Sequence, residues 1–220
     1  MKILVLIPAK DEKAKIFSVV REIKDCGFEV LVIDDGSSDN TGELAKAAGA
    51  KVLRHVINRG QGAALRTGLS YALKGDYQAV VFFDADGQML ASEIEKLLEP
   101  LLLKRAEVVL GSRFLGRAEN ISFSKLITLK LALLFTKLTT GLKLTDVHNG
   151  FQAWDLSALE KITLTQDRYA YASEILKEIA HKRLRYQEVP VTIKYTDYSK
   201  KKGQSIFNAL HILWDLMIKK

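Results

Sequence analysis

VVFFDADGQ, residues 80–88, runs four apolar residues straight into two carboxylates one residue apart, then a glycine and a glutamine. In an extended chain residues 84 and 86 point to the same side while Ala85 turns away, so both acids can reach one ion. Two carboxylates so placed repel, and desolvating them is costly unless a cation neutralises them. Oxygen donors suit a hard ion, Mg²⁺ or Mn²⁺, which commonly bridges a few carboxylates to the phosphates of a nucleotide. The stretch reads as a buried strand ending on a place for a metal that holds a diphosphate.

Outward from this strand the chain alternates. ILVLIPA (3–9), EVLVID (29–34), KVLRHV (51–56), YQAVVFF (77–83) and EVVLGSRF (107–114) are apolar runs of strand length. Between the first two, Ile16, Val19, Val20 and Ile23 form one helical stripe that Gly27 stops; TGELAKAAG (41–49) is a short helix, and another opens at Gly60. Continuous apolar strands separated by helices specify an α/β fold with a mainly parallel central sheet and helices on both faces. Beyond the fifth strand, SKLITLKLALLFTKL (124–138) is a long helix whose apolar surface is wider than one stripe and is interrupted by Lys125, Lys130 and Lys137, so it is either core or interfacial. YASEILKEIAHK (171–182) is helical and LRYQEVPVTIKY (184–195) extended. Residues 1–198 form the main domain; 199–220 hold the basic Lys200, Lys201 and Lys202 and a final amphipathic helix. That helix suits a peripheral membrane contact, a small membrane-protein partner, the core or a homodimer.

The 220 residues, 48% apolar and 27% charged, are those of one globular domain with a sizeable core. A lone Cys26 builds neither a disulfide framework nor a Cys-rich metal site. The N-terminal MKILVLIPAKDE turns polar too soon for a signal peptide, and no run reaches the roughly 18 apolar residues that span a bilayer. The expectation is a cytoplasmic protein, or one peripheral on the inner face of the membrane. Residues 1–120 carry 17 Lys and Arg against 17 Asp and Glu, whereas 121–220 carry 16 against 9, so the whole +7 arises in the second part. Nucleic acid, anionic lipid and phosphorylated substrates are the partner classes such a charge suits, beside the plain reading of a solvated basic surface; of these, no nucleic-acid partner is expected for the whole chain.

In an open parallel sheet, ligands bind at the carboxyl ends of strands near a switch in strand order. Every one of the five strands ends in a polar cluster: Pro8 and Ala9 followed by Glu12, DDGSSDNT (34–41), NRGQG (58–62), DADGQ (84–88) and GSR (111–113). Each alone has a structural explanation in turn chemistry or helix capping. GQGAAL lacks the third glycine of a dinucleotide fingerprint. It is the joint position of the clusters that points to one nucleotide-binding cleft.

IPAKDE, VIDDGSSDNT, NRGQGAALRTGL, FFDADGQ, GSRF and TDVHNGFQAW, in this order, resemble the family-2 glycosyltransferases of GT-A fold, in particular the dolichyl- and polyprenyl-phosphate sugar transferases. The resemblance covers roughly residues 3–195. It implies a nucleotide-diphosphate-sugar donor, inverting transfer, and a place in cell-surface glycan synthesis. It implies further that Pro8, Ala9, Glu12 and Asp35 line the nucleoside pocket, that Asp34 and Gly36 shape the turn, and that Asn58 and Gly62 belong to the donor site. Asp84, Asp86 and Gln88 would serve the metal and the diphosphate, and Arg113 a phosphate of donor or acceptor. Lys10-Asp11 departs from the family's usual aromatic followed by Asn.

The residues suggest how such a transfer runs. Negative charge grows on a leaving diphosphate, so a cation and Arg113 act most in the transition state. A lipid-phosphate acceptor is already an anion near neutral pH and needs no base. A glycan hydroxyl needs one, and Asp146 is the first candidate, Glu174 the second. His148 reads as a polar loop residue, with no second histidine at ligand spacing. The D-x-D-G pattern also resembles haloacid-dehalogenase phosphatases, but those carry it near the N-terminus and finish DxDGT. A catalytically dead nucleotide-sugar-binding protein is the non-enzymatic alternative.

Overall fold

The computed structural model describes residues 2–198. The C-terminal amphipathic helix and the three-lysine segment expected from the sequence lie outside the described residues. The first half alternates as the apolar runs require: β1 (Ile3–Ala9), α1 (Ile16–Asp25), β2 (Glu29–Asp34), α2 (Thr41–Ala47), β3 (Lys51–Arg54), α3 (Gln61–Ala72) and β4 (Ala79–Phe82). A 3-10 turn, Ala91–Glu93, leads into α4 (Ile94–Leu102); β5 (Val108–Glu119), α5 (Phe123–Thr140), β6 (Gln152–Asp155), α6 (Leu156–Leu159), α7 (Tyr171–His181) and β7 (Tyr186–Lys194) follow.

The strands form one sheet in the order β3-β2-β1-β4-β6-β5-β7. Parallel pairing joins β3, β2, β1 and β4. β6 runs antiparallel to both β4 and β5, while β5 pairs in parallel with β7. The sheet is therefore mainly parallel, with one reversed strand. β3 is shorter than the KVLRHV run: His55 still donates its backbone N–H to Asp34 O at 2.9 Å, its side chain is buried against Asp35, and Val56 is exposed. β5 outlasts the expected strand by five residues, with a register break between Ser112 and Arg117 that bends it away after Arg113.

Strand alternation sends Val5, Ile7, Val30, Val32, Val81 and Phe83 to one face, against Ile16, Val19, Val20 and Ile23 of α1 and Ile94, Leu97 and Leu98 of α4. Leu4, Leu6, Leu31, Ile33, Val80, Phe82 and Trp154 face the other way, against Leu65 and Leu69 of α3 and Ile175, Leu176 and Ile179 of α7. Both faces are covered, which is why these strands carry continuous apolar runs. The chain leaves β1 for β2 and β3 on one side, then returns over α3 to place β4 on the other. The order switches between β1 and β4, so their carboxyl ends open a crevice there.

Candidate active site

Asp84 and Asp86 lie just past the end of β4, at the mouth of this crevice. Asp84 is part-buried, and burial together with the adjacent charge of Asp86 pushes its carboxyl up to about 7, with Glu12 adding to the rise and Arg113 opposing it. Its backbone N–H donates to Met89 Sδ at 3.3 Å, and Gln61 Nε2 donates to Oδ1 at 3.4 Å. Asp86 Oδ1 accepts from the backbone N–H of Gln88 at 3.0 Å, which closes the tight turn through Gly87. Gly150, from the loop before β6, backs Asp84: a methyl group there would sit 2.6 Å from Oδ2. The carboxylate position therefore depends on the absence of a side chain at residue 150. Tyr171, at the start of α7, also faces Asp84, and burial followed by the charge of Asp84 raises its hydroxyl pKa.

A divalent cation fits this donor set. The chain brings two hard carboxylates together at a cost that shows in the raised Asp84 pKa, and a cation would remove that cost. Among the described residues no cluster of three or more His, Cys, Asp or Glu forms around an ion position, so further ligands would come from a bound phosphate or water. The Gln88 backbone is committed to the turn and, through its carbonyl, to Lys194 N at 2.9 Å; the residue itself is part-buried.

The β1 and β2 ends are knitted to each other. Ala9 O accepts from Asp35 N at 2.9 Å, the Glu12 N–H donates to Thr41 Oγ1 at 2.8 Å, and Tyr198 OH donates to Glu12 Oε2 at 2.7 Å. Pro8 is part-buried at the last turn of β1. Lys10 and Asp11 join the same seam: Lys10 Nζ meets Gly36 O and Asp11 Oδ2 at 3.0 Å each, and Asp11 Oδ1 accepts from Ser38 N at 2.7 Å. Although burial opposes it, hydrogen bonding from Lys10 and Ser38 holds the Asp11 carboxyl down at about 2. Asp34 is fully buried and accepts from Ser37 N at 2.8 Å across the turn that Gly36 makes with φ +67°.

Several residues expected to meet ligand also make contacts within the fold. Both oxygens of Asp35 are used: Oδ1 by His55 Nδ1 at 2.7 Å and Arg59 N at 2.9 Å, Oδ2 by Gly60 N at 2.7 Å. The nearly buried Asp35 thus fixes the β3–α3 loop. Asn58 is exposed on that loop, where its backbone packs against Gly36. Gly62 lies against the Gln166 carbonyl, so its lack of a side chain serves the approach of the 166–167 loop.

Arg113 and Asp146, expected at a phosphate and as a candidate base, are paired with each other. Arg113 is 5% exposed and committed inward: Nε to Asp146 Oδ2 at 2.7 Å, one terminal nitrogen to Tyr195 OH at 2.5 Å, the other to the carbonyls of Val147 and His148 at 3.4 Å. Desolvation alone would lower its pKa, but Asp146 and Tyr195 overcome this and raise it. Asp146 also accepts from the backbone N–H groups of Arg113 at 2.9 Å and Val147 at 2.8 Å. The pair buttresses the 146–150 loop that carries Gly150. Glu174 accepts from Thr165 N at 2.9 Å, Thr165 Oγ1 at 2.6 Å and Gln166 N at 3.0 Å. His148 holds φ +54°, and its Nε2 lies 3.2 Å from Ser173 Oγ. Desolvation by the cleft walls and the positive charges of Lys125 and Arg113 push its pKa down.

Gln61, Gly150, Tyr171, Tyr195 and Lys125 were not singled out from the sequence. Gln61 and Gly150 stand inside quoted motifs and could have been; the others are joined to the site by contacts that no local pattern reports.

A mainly parallel sheet with one reversed strand and an acidic pair at its switch point is the GT-A arrangement of sugar transferases. A Mycobacterium tuberculosis glucosyl-3-phosphoglycerate synthase, solved with Mn²⁺, uridine-diphosphate-glucose and phosphoglyceric acid, superposes with a TM-score of 0.73 at 22% identity over 97% of this chain and 79% of that one. Residues 4–163 match the model of glycosyl transferase family 2, and the chain belongs to that family. A UDP-N-acetylglucosamine–dolichyl-phosphate N-acetylglucosaminyltransferase of Methanococcus voltae is 32% identical over 99% of this chain and 96% of its own. A polyprenol monophosphomannose synthase of Mycolicibacterium smegmatis is 30% identical over 94% and 83%.

Proposed function

We propose that this protein transfers a hexosyl group from a nucleotide-diphosphate sugar to a polyprenyl phosphate, with inversion at the anomeric carbon. The observation that carries the reading is the Asp84–Asp86 pair at the β1/β4 switch, with Asp84 pushed up to about 7 by burial and by the charge of Asp86. The relatives named for dolichyl- and polyprenyl-phosphate acceptors support the acceptor class. A divalent cation, Mg²⁺ or Mn²⁺, held by Asp84 and Asp86 would supply Lewis-acid stabilisation of the leaving diphosphate.

The chain's own residues then have separable tasks. Asp84 and Asp86 fix where the diphosphate sits, and Gly150 and Gln61 set the position of Asp84. The Arg113–Asp146 pair holds the loop behind it. Both carboxylates considered as a base, Asp146 and Glu174, are consumed by internal hydrogen bonds. That favours an acceptor already ionised near neutral pH, a phosphate, over a glycan hydroxyl.

A donor screen by thermal shift with Mn²⁺ tests the reading, because a ligand that binds only the folded state raises its melting point. One nucleotide-sugar should raise it in Mn²⁺ and lose the effect in EDTA. An identical response with and without the metal would remove the acidic pair from the donor site.

A further inference from the structure

His55 is the first residue past β3, and it is only 8% exposed. Its Nδ1 lies 2.7 Å from Asp35 Oδ1, and its Nε2 lies 2.9 Å from the hydroxyl of Thr67 in α3. The ring therefore spans the carboxyl end of β2 and the body of that helix. An ionised carboxylate only accepts, so Nδ1 carries a proton and donates it. At the other nitrogen the Thr67 hydroxyl can donate or accept, because Ala63 O, 3.1 Å away, stands as its alternative acceptor. Either protonation state of the ring leaves both of its ends bonded.

What the ring holds is a fixed point for the loop that follows it. Asp35 is 3% exposed, and besides His55 it accepts from two successive backbone N–H groups, Arg59 at 2.9 Å and Gly60 at 2.7 Å. A carboxylate free to turn to another rotamer would strand both amides. Gly60 opens α3 with φ +102°, and the next residue, Gln61, sends Nε2 to Asp84 Oδ1 at 3.4 Å. One chain of bonds thus runs from Thr67 through His55, Asp35, the Arg59–Gly60 backbone and Gln61 to Asp84. A histidine buried between a carboxylate and a hydroxyl is by itself a satisfied core residue. This one differs because its chain of bonds ends on the acidic pair, and groups that orient the carboxylates of an ion site set its affinity from outside the ligand shell.

We propose that His55 is a positioning residue: its ring locks Asp35, Asp35 locks the Arg59–Gly60 turn, and the turn holds Gln61 against Asp84, so the affinity of the acidic pair for a divalent cation depends on His55. The last step rests on the reading of Asp84 and Asp86 as an ion site; the hold on the loop does not.

The test compares His55→Leu with His55→Asn in the full chain. The two new side chains have nearly the same shape, but only the amide can donate where Nδ1 does. Amide hydrogen exchange without metal reads the loop: Arg59 and Gly60 should exchange on the order of ten-fold faster in His55→Leu and near the parental rate in His55→Asn. Calorimetry with Mn²⁺ reads the ion: His55→Leu should bind on the order of ten-fold more weakly, and His55→Asn close to the parent. Thr67→Val removes only the second anchor and should move both readouts the same way by a smaller factor, which keeps the question decidable if His55→Leu does not fold. Parental Mn²⁺ affinity in His55→Leu, whatever its melting temperature, makes His55 a structural histidine and overturns the proposal. Unchanged exchange at Arg59 and Gly60 overturns the route through the loop, and equal losses in the two His55 variants would give the role to the volume of the ring. A parent that binds no Mn²⁺ refutes the ion reading and the last step with it, while the exchange rates still decide whether His55 holds the loop.

Discussion

Asp84 offers a perturbation whose size can be worked out before any substrate is known. Its carboxyl titrates at about 7 in the folded protein against 3.8 for an unperturbed aspartate. Because the folded value is the higher, the folded protein holds this proton between about pH 4 and 7 while the unfolded chain does not. The stability contributed by the group is full below pH 4 and is lost as pH rises through 7; at 1.36 kcal/mol per pH unit the loss is about 4 kcal/mol. For a chain of this length that is about 8–16 °C in melting temperature. Asp84→Asn removes the titration, so in EDTA at pH 8 the variant should melt above the parent, and its own pH dependence between 4 and 8 should be flatter. Addition of Mn²⁺ should narrow the gap by stabilising the parent alone, by about 2.7 kcal/mol at a hundred times the dissociation constant. Urea melts from pH 4 to pH 8, with EDTA and with Mn²⁺, read all three effects. A variant no more stable than the parent at pH 8, and a parent indifferent to Mn²⁺, would refute the idea that this pair is held at a cost for an ion.

Arg113→Lys should lose the Nε bond to Asp146 and the fork to Tyr195 and the loop carbonyls, and denaturant melts should show a loss toward the 3–5 kcal/mol typical of broken buried pairs. Full stability with lost turnover would return Arg113 to the phosphate. Gly150→Ala should displace the Asp84 carboxylate, since the new methyl would lie 2.6 Å from Oδ2; calorimetry should record weakened Mn²⁺ binding. Unchanged binding would show that the Gly150 contact does not set the carboxylate. Glu174→Gln should weaken the cap on Thr165 and Gln166 by about 1–3 kcal/mol and leave the pH–rate profile of transfer in place. A lost basic limb would make Glu174 the base after all.

The order of β and α elements through β4 was legible because both sheet faces are covered and each strand is a continuous apolar run. The position of Asp84 and Asp86 at a strand end was legible for the same reason. β6 was not: QAWD is four residues long and becomes a strand only because β4 and β5 flank it. α4, IEKLLEPLL, carries Pro100 inside it, which masks a helical pattern that packing on the sheet restores. The partnership of Arg113 and Asp146 was not legible because it spans 33 residues of sequence, and no periodicity reports a buried ion pair formed at that range. The hydrogen bonds accepted by Asp35 and Glu174 were hidden in the same way: residue type and motif position marked them as acids, and only the folded chain shows the donors around them.

The central claim is transfer to a prenyl phosphate, and the direct measurement is radiolabel partition. The full chain is incubated with Mn²⁺, a panel of nucleotide-diphosphate sugars labelled in the sugar, and vesicles containing polyprenyl phosphate, then extracted with organic solvent. For one donor the label should move into the organic phase only when polyprenyl phosphate is present, in a product whose anomeric configuration is opposite to the donor's. Label that stays in water as free sugar, or that moves only to an added glycan, would contradict the account.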